Sequence, residues 1–383
     1  MMLEYKCKGF LVLLILIKIS FINCYFQISL FNQLNQKNKG KNLAISPLSI
    51  FQALSLVTNG ANGETQNELL KLLDNKGMEE INEINIKIIS KIKDMSSLEI
   101  ANAIMTRVSP LPSFIKIAKE IYSSEIQSLK NVQQVNKWCD NKTHGKIQKI
   151  IDELSDNIFM IILNAVYFKG LWINQFNKEL TSKKIFYNYN SESDGKQIDT
   201  MKITKHFSYF QDSNLQAIKL PFRKDFMSAL IILPNKNINI NEFINILNDD
   251  NEYFYSIIDN LKYSKVNLEL PKFEITYKES LKEILKNMGV NLAFNIKTDF
   301  SKIRNQNDLM IDEVIHKTYL KVNEEGTEAA AITMIEMLNM AMIPKAEIIY
   351  NMIVNRPFLF ILRNEDLPKN YDILFISKIE ELN

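Results

Sequence analysis

The stretch Glu324-Glu325-Gly326-Thr327-Glu328-Ala329-Ala330-Ala331-Ile332-Thr333, continuing as Met334-Ile335-Glu336-Met337-Leu338-Asn339-Met340-Ala341-Met342-Ile343-Pro344-Lys345, decides how the chain is read. Taken with a period of two, one side carries Thr327, Ala329, Ala331, Thr333, Ile335 and Met337, and the other Glu328, Ala330, Ile332, Met334 and Glu336. The first side suits burial in a sheet and the second suits solvent. Yet the acidic opening and the run of small residues also suit an exposed loop. The segment therefore reads as one able to exist either as loop or as strand.

Further pieces lie on both sides of it. Asn42-Leu43-Ala44-Ile45-Ser46-Pro47-Leu48-Ser49-Ile50 precedes Gly60-Ala61-Asn62-Gly63-Glu64-Thr65. Then come Asn164-Ala165-Val166-Tyr167-Phe168-Lys169-Gly170-Leu171-Trp172, Leu220-Pro221-Phe222, Ile232-Leu233-Pro234, Leu270-Pro271-Lys272-Phe273 and His316. After the loop stands Met352-Ile353-Val354-Asn355-Arg356-Pro357-Phe358-Leu359-Phe360-Ile361-Leu362. In this order the set resembles the serpin family over residues 26–379, with the opening stretch similar to its proximal hinge and reactive-centre loop.

That resemblance implies an α+β fold of three β-sheets with about eight or nine helices and an exposed reactive-centre loop at residues 324–349. It implies irreversible inhibition of a serine endopeptidase, in which the freed loop inserts into the main sheet after forming an acyl-enzyme. The alternative is a non-inhibitory member acting as carrier, chaperone or storage protein. The hinge would comprise Glu324, Glu325, Gly326, Thr327, Glu328, Ala329, Ala330, Ala331 and Thr333. Family spacing places the scissile bond at Met340–Ala341, suiting a chymotrypsin-like or elastase-like target; the alternative, Lys345–Ala346, suits a trypsin-like one. By the same resemblance Ser46, Ser49, Asn164 and His316 form a network beneath the point where the sheet opens. Trp172 matches the tryptophan at the top of that sheet.

The hinge residues themselves support insertion. A charge entering a sheet interior is heavily penalised. Thr327, Ala329, Ala331 and Thr333 are small and uncharged, whereas Glu328 and Glu336 fall on the outward register. No proline between Glu324 and Ile343 removes a ladder donor.

Composition narrows the remaining classes. The 383 residues include only ten Gly and nine Pro, with no linker or repeat, so one large domain is expected over residues 25–383. Residues 1–24 differ: Lys6 and Lys8 precede the apolar run Phe10–Ile17, too short to span a bilayer but suited to a signal peptide. Secretion is expected, the alternative being an apolar N-terminal helix on a cytoplasmic protein. Removing residues 1–24 leaves 43 basic and 43 acidic residues, so charge balance implies no nucleic-acid partner. No membrane partner is expected either, and the protein is read as a monomer. Lys87, Lys91 and Lys93 alternate with Ile88, Ile89 and Ile92 as the solvated face of an amphipathic helix rather than a glycosaminoglycan site.

No catalytic, metal or cofactor motif stands out. His144, His206 and His316 are far apart, and neither His-x-x-x-His, Cys-x-x-Cys, Gly-x-Ser-x-Gly nor a phosphate-binding glycine loop occurs. Cys139 is the one cysteine outside the expected signal and reads as a small buried residue. Along the chain, a capping box is expected at Thr65 and Glu68 and helices over 135–154, 238–261 and 278–288. A strand is expected over 266–275 and a continuously apolar one over 157–168.

Overall fold

The computed structural model describes residues 26–93, 95, 97–224, 226–306, 309–326 and 347–383. Met1–Cys24, Thr327–Ala331, Thr333 and both proposed scissile bonds, Met340–Ala341 and Lys345–Ala346, lie outside the described residues.

The helices are α1 (Phe26–Lys37), α2 (Pro47–Gly60), α3 (Gly63–Leu72), α4 (Met78–Ile92), α5 (Pro112–Glu120), α6 (Val132–Lys142), α7 (Ile240–Asp249), α8 (Asn251–Asp259) and α9 (Lys282–Asn287). The central one is α2, with all fourteen residues buried. Ser46 caps it, its Oγ accepting the Ser49 N–H at 3.4 Å, and Pro47 fills the first turn, where a missing N–H costs nothing.

Five strands form one sheet: β2 (Leu98–Thr106), β3 (Glu125–Ser128), β4 (Met160–Phe168), β10 (Phe273–Ser280) and β11 (Glu313–Val322). Their order is β10-β11-β4-β2-β3. The central pair is parallel, with Glu313 opposite Ile161 and Tyr319 opposite Tyr167. Every residue of β4 is buried because the strand is covered twice. Ile162, Val166 and Phe168 pack into the main core with α2, while Ile161, Leu163, Ala165 and Tyr167 pack under Val135, Trp138 and Cys139 of α6. That double cover is why the sequence of β4 is a run of apolar residues without alternation.

A second sheet of nine strands contains β1 (Leu43–Ile45), β5 (Ser182–Tyr187), β6 (Gly195–Gln211), β7 (Leu215–Pro221), β8 (Met227–Pro234), β9 (Lys262–Pro271), β12 (Ile349–Ile353), β13 (Phe358–Asn364) and β14 (Ile373–Ile379). Where three sheets were expected, hydrogen bonding joins the described strands into two. The link is β6, seventeen residues long, which pairs with β5 and β9 through one part and with β7 through Ser208–Gln211.

Four local expectations are corrected. Thr65 and Glu68 form no capping box, because α3 starts at Gly63. Their side chains instead reach a distant segment, Thr65 Oγ1 accepting from Asp299 N–H at 2.9 Å and Glu68 Oε2 from the N–H groups of Asn291 and Leu292 at 2.7 Å. Helix α6 runs from an Asn131 cap to Lys142, not from 135 to 154, because His144 and Gly145 turn left-handed at φ 50° and 78°. The helical stretch 238–261 divides at Asp250, which caps α8. The strand at 266–275 is two strands, β9 and β10, broken after Pro271.

Candidate functional site

The site occupies the seam between β4 and β11. In register, His316 stands opposite Asn164 and Asn164 opposite Asn102, so three polar residues line up across three apolar strands. All three are buried, as are Ser46 and Ser49 at the start of α2. The Ser46 N–H donates to His316 Nε2 at 3.2 Å. That bond fixes the tautomer: Nε2 is the acceptor, so Nδ1 carries the proton and donates to Asn164 Oδ1. The Asn164 amide donates in turn to Ser49 Oγ and Asn102 Oδ1. An unpaired buried amide would cost about 1–3 kcal/mol, and this chain of bonds avoids that at each member. Burial pushes the His316 imidazole down to about 3, so it is neutral throughout the physiological range.

Four of the expected network residues, Ser46, Ser49, Asn164 and His316, thus meet at one point. Asn102 was not anticipated, although its sequence carried the same signal as Asn164: a lone amide in the apolar run Ile100-Ala101-Asn102-Ala103-Ile104. Trp172 lies elsewhere, beyond the C-terminal end of β4, buried and stacked on Phe222 with ring centroids 4.3 Å apart.

Around Trp172 the chain leaving β11 is fastened. Asn323 and Gly326 exchange backbone hydrogen bonds of 2.8 and 3.2 Å, a two-residue reversal through Glu324 and Glu325. The Trp172 indole N–H donates to Asn323 O at 3.0 Å, its backbone N–H to Glu325 O at 3.0 Å, and the Phe176 N–H to Glu324 O at 2.9 Å. Gly326 forms an antiparallel bridge with Leu171. Its φ of +138° favours glycine, and a Cβ there would lie 2.0 Å from the Gly170 carbonyl oxygen.

The acidic pair that looked suited to an exposed loop is buried: Glu324 is 5% exposed and Glu325 7%. Each carboxylate is held. Glu324 accepts from Thr181 Oγ1 at 2.8 Å and pairs with Lys272 at 3.2 Å; Glu325 pairs with Lys178. Burial pushes the Glu324 carboxyl up, but its own backbone N–H, Thr181 and Lys272 together hold it below the usual range.

A family model described as Serpin (serine protease inhibitor) matches residues 22–382. The chain belongs to the serpin family. This serpin is 32% identical to intracellular coagulation inhibitor 2 of Tachypleus tridentatus, over 90% of this chain and 87% of that protein. Among solved structures it resembles the thermophilic serpin Tengpin in its native state, with a TM-score of 0.83, 30% identity and coverage of 95% and 94% of the two chains. It also resembles human thyroxine-binding globulin complexed with its hormone, with a TM-score of 0.82, 26% identity and coverage of 95% and 98%.

Cys139, on the inner face of α6, is buried against β4, where desolvation pushes its thiol up to about 12, as suits a packing residue. Among the described residues no cluster of His, Cys, Asp or Glu could hold a metal ion, and no helix is long and apolar enough to cross a membrane.

Proposed function

We propose that this serpin inhibits a serine endopeptidase irreversibly, as a suicide substrate whose cleaved loop inserts between β4 and β11. The observation that carries this reading is the reversal at Glu324-Glu325, which ends with Gly326 bridged to Leu171 just past the end of β4. A chain continuing from Gly326 antiparallel to β11 is antiparallel to β4 as well, because those two strands are parallel. One inserted strand therefore pairs with both neighbours and replaces a parallel ladder by two antiparallel ones, the slightly stronger arrangement per residue.

In chemical terms, the protease serine attacks the carbonyl of the scissile residue, and the amine of the next residue leaves. The N-terminal half of the loop stays esterified to the enzyme. Insertion before water attacks that ester carries the protease away from its productive geometry. The residues that enter first, Thr327, Ala329, Ala331 and Thr333, offer no charge to the sheet interior. We place the scissile bond at Met340–Ala341, with Lys345–Ala346 as the alternative, and the target in the chymotrypsin-like or elastase-like class in the first case and the trypsin-like class in the second.

The test is incubation with elastase, chymotrypsin and trypsin, then denaturing electrophoresis and mass analysis of the released C-terminal peptide. A denaturant-resistant complex with a peptide beginning at Ala341 is expected; one beginning at Ala346 moves the bond to Lys345. Loop cleavage by all three enzymes with no complex, and with no rise in melting temperature, overturns the reading in favour of a carrier, chaperone or storage role. The resemblance to thyroxine-binding globulin is the observation that keeps that second reading in view. Residues 1–24 are proposed as a signal peptide directing secretion, checked by N-terminal sequencing of protein recovered from the medium of expressing eukaryotic cells.

A further inference from the structure

Asn141-Lys142-Thr143 is the one Asn-x-Ser/Thr sequence in the 383 residues, and it closes α6. Such a sequence is an acceptor for N-linked oligosaccharide in a secreted protein when its asparagine lies at the surface. Val135, Trp138 and Cys139 turn the inner face of α6 onto the sheet, whereas Asn141, about 200° of helical rotation beyond Cys139, is exposed.

The surface beside Asn141 has room for a sugar. A shallow groove of about 440 Å3 runs between the end of α6 and β3, with Asn141, Trp138 and Gln134 on one side and Glu125 and Gln127 on the other. Its amide groups both donate and accept, as the hydroxyls and N-acetyl group of a sugar require. Strand β3 is the last of its sheet and pairs with β2 alone, and an uncovered edge invites pairing with another chain.

Thr143, which completes the acceptor sequence, is closed in the folded chain. Its side chain is buried, Oγ1 donating to Cys139 O at 2.8 Å and accepting from the Ile147 N–H at 3.0 Å. The sequence is therefore accessible to a transferase only before α6 packs on the sheet.

We propose that Asn141 bears an N-linked glycan, added while the chain is still unfolded. In the transfer, Asn141 Nδ2 attacks C1 of the first N-acetylglucosamine of a polyprenyl-diphosphate-linked oligosaccharide. The C–O bond to the diphosphate breaks, the C–N bond forms, and the amide nitrogen gives up one proton. After folding, the inner sugars lie over the groove and beside the edge of β3. The inference rests on the reading of residues 1–24 as a signal peptide, and the test separates the two.

The full chain is expressed in cultured mammalian cells, and protein from the medium is treated with peptide-N-glycosidase. A gain in electrophoretic mobility and conversion of Asn141 to aspartate, seen by peptide mass mapping, are expected. Asn141→Gln and Thr143→Val should each abolish both changes, while Thr143→Ser, which keeps the hydroxyl, should retain them; if Thr143→Val does not fold, Asn141→Gln still decides. Secreted protein with Asn141 unmodified overturns the glycan. A second chain carries another protein's secretion signal in place of residues 1–24. Secretion and modification of this chain alone would overturn the signal-peptide reading and leave Asn141 an acceptor. On heating, Asn141→Gln should aggregate at a lower temperature than the glycosylated chain, and equal aggregation would overturn the cover of β3.

Discussion

His316 and Asn164 face each other across the parallel β4–β11 ladder of the five-stranded sheet, and the imidazole Nδ1–H donates to the amide oxygen. The bond is possible because Ser46 occupies the other ring nitrogen as a donor, leaving no place there for a second proton. Protonation of His316 thus sets an N–H against an N–H inside the core. The folded-state value is depressed from 6.5 to about 3, so on acidification the unfolded chain takes up this proton first. The stabilisation is full above pH 6.5 and is lost as the pH falls towards 3, by up to about 1.4 kcal/mol per pH unit. Urea midpoints between pH 7 and pH 4.5 should fall more steeply for the wild type than for His316→Gln, in which this titration is absent. Parallel curves would remove His316 from the account.

Glu324 and Lys272 hold the end of β11 at 3.2 Å, with Thr181 as a third partner. The carboxylate is buried while the lysine is partly exposed, so losing the acid leaves a cation that water can still reach. Glu324→Lys is the harsher change because it places a second cation in the buried position. It should cost about 2 kcal/mol or more in unfolding free energy, read as a lower melting temperature. Lys272→Glu added to it should restore part of the loss. A double variant no more stable than Glu324→Lys alone would show that the pair does not anchor the hinge.

Gly326→Ala tests the close approach of the hinge to the chain after β4. The added Cβ would meet the Gly170 carbonyl oxygen at 2.0 Å and Leu171 Cα at 2.8 Å, both backbone atoms that cannot swing aside. The φ of +138° adds strain of about 1–3 kcal/mol for a residue with a Cβ. Faster limited proteolysis near residue 326 and a lower melting temperature are expected. Unaltered proteolysis and melting would mean that Gly326 moves freely from Leu171.

Much of this was legible in the residues, and what was not has identifiable causes. Strand β4 announced itself through the almost continuous apolar run over 157–168, and α2 through Ser46-Pro47, because double burial and a capped start each leave a local mark. The end of α6 did not, since His144 adopts a left-handed turn that ordinarily calls for glycine or asparagine. Thr65 and Glu68 carried a capping pattern whose partners proved to be residues 291–299, more than two hundred positions away, and no local rule reports such a pairing. Glu324 and Glu325 looked like loop residues because a carboxylate is buried only where its partners wait, and Lys178, Thr181 and Lys272 are supplied by other parts of the chain. Asn102 was detectable and passed over.

The hinge register remains the sharpest test of the proposed insertion, because of two adjacent alanines only one should respond to the same substitution. By the alternation starting at Thr327, Ala331 enters facing the sheet interior and Ala330 faces outward. A glutamate at the inward position must be desolvated during insertion, which slows that step while hydrolysis of the acyl-enzyme proceeds at its own rate. Ala331→Glu should therefore raise the number of serpin molecules consumed per protease trapped by about tenfold or more, a change of about 1.4 kcal/mol in the competing barriers. Ala330→Glu should leave that number near the wild-type value. The rate at which the protease first cleaves the loop should be similar in both variants, since neither residue lies within eight positions of the Met340–Ala341 bond. Equal effects at the two positions would mean that the loop does not enter the sheet in this register, and no effect at either would mean that trapping does not depend on its entry.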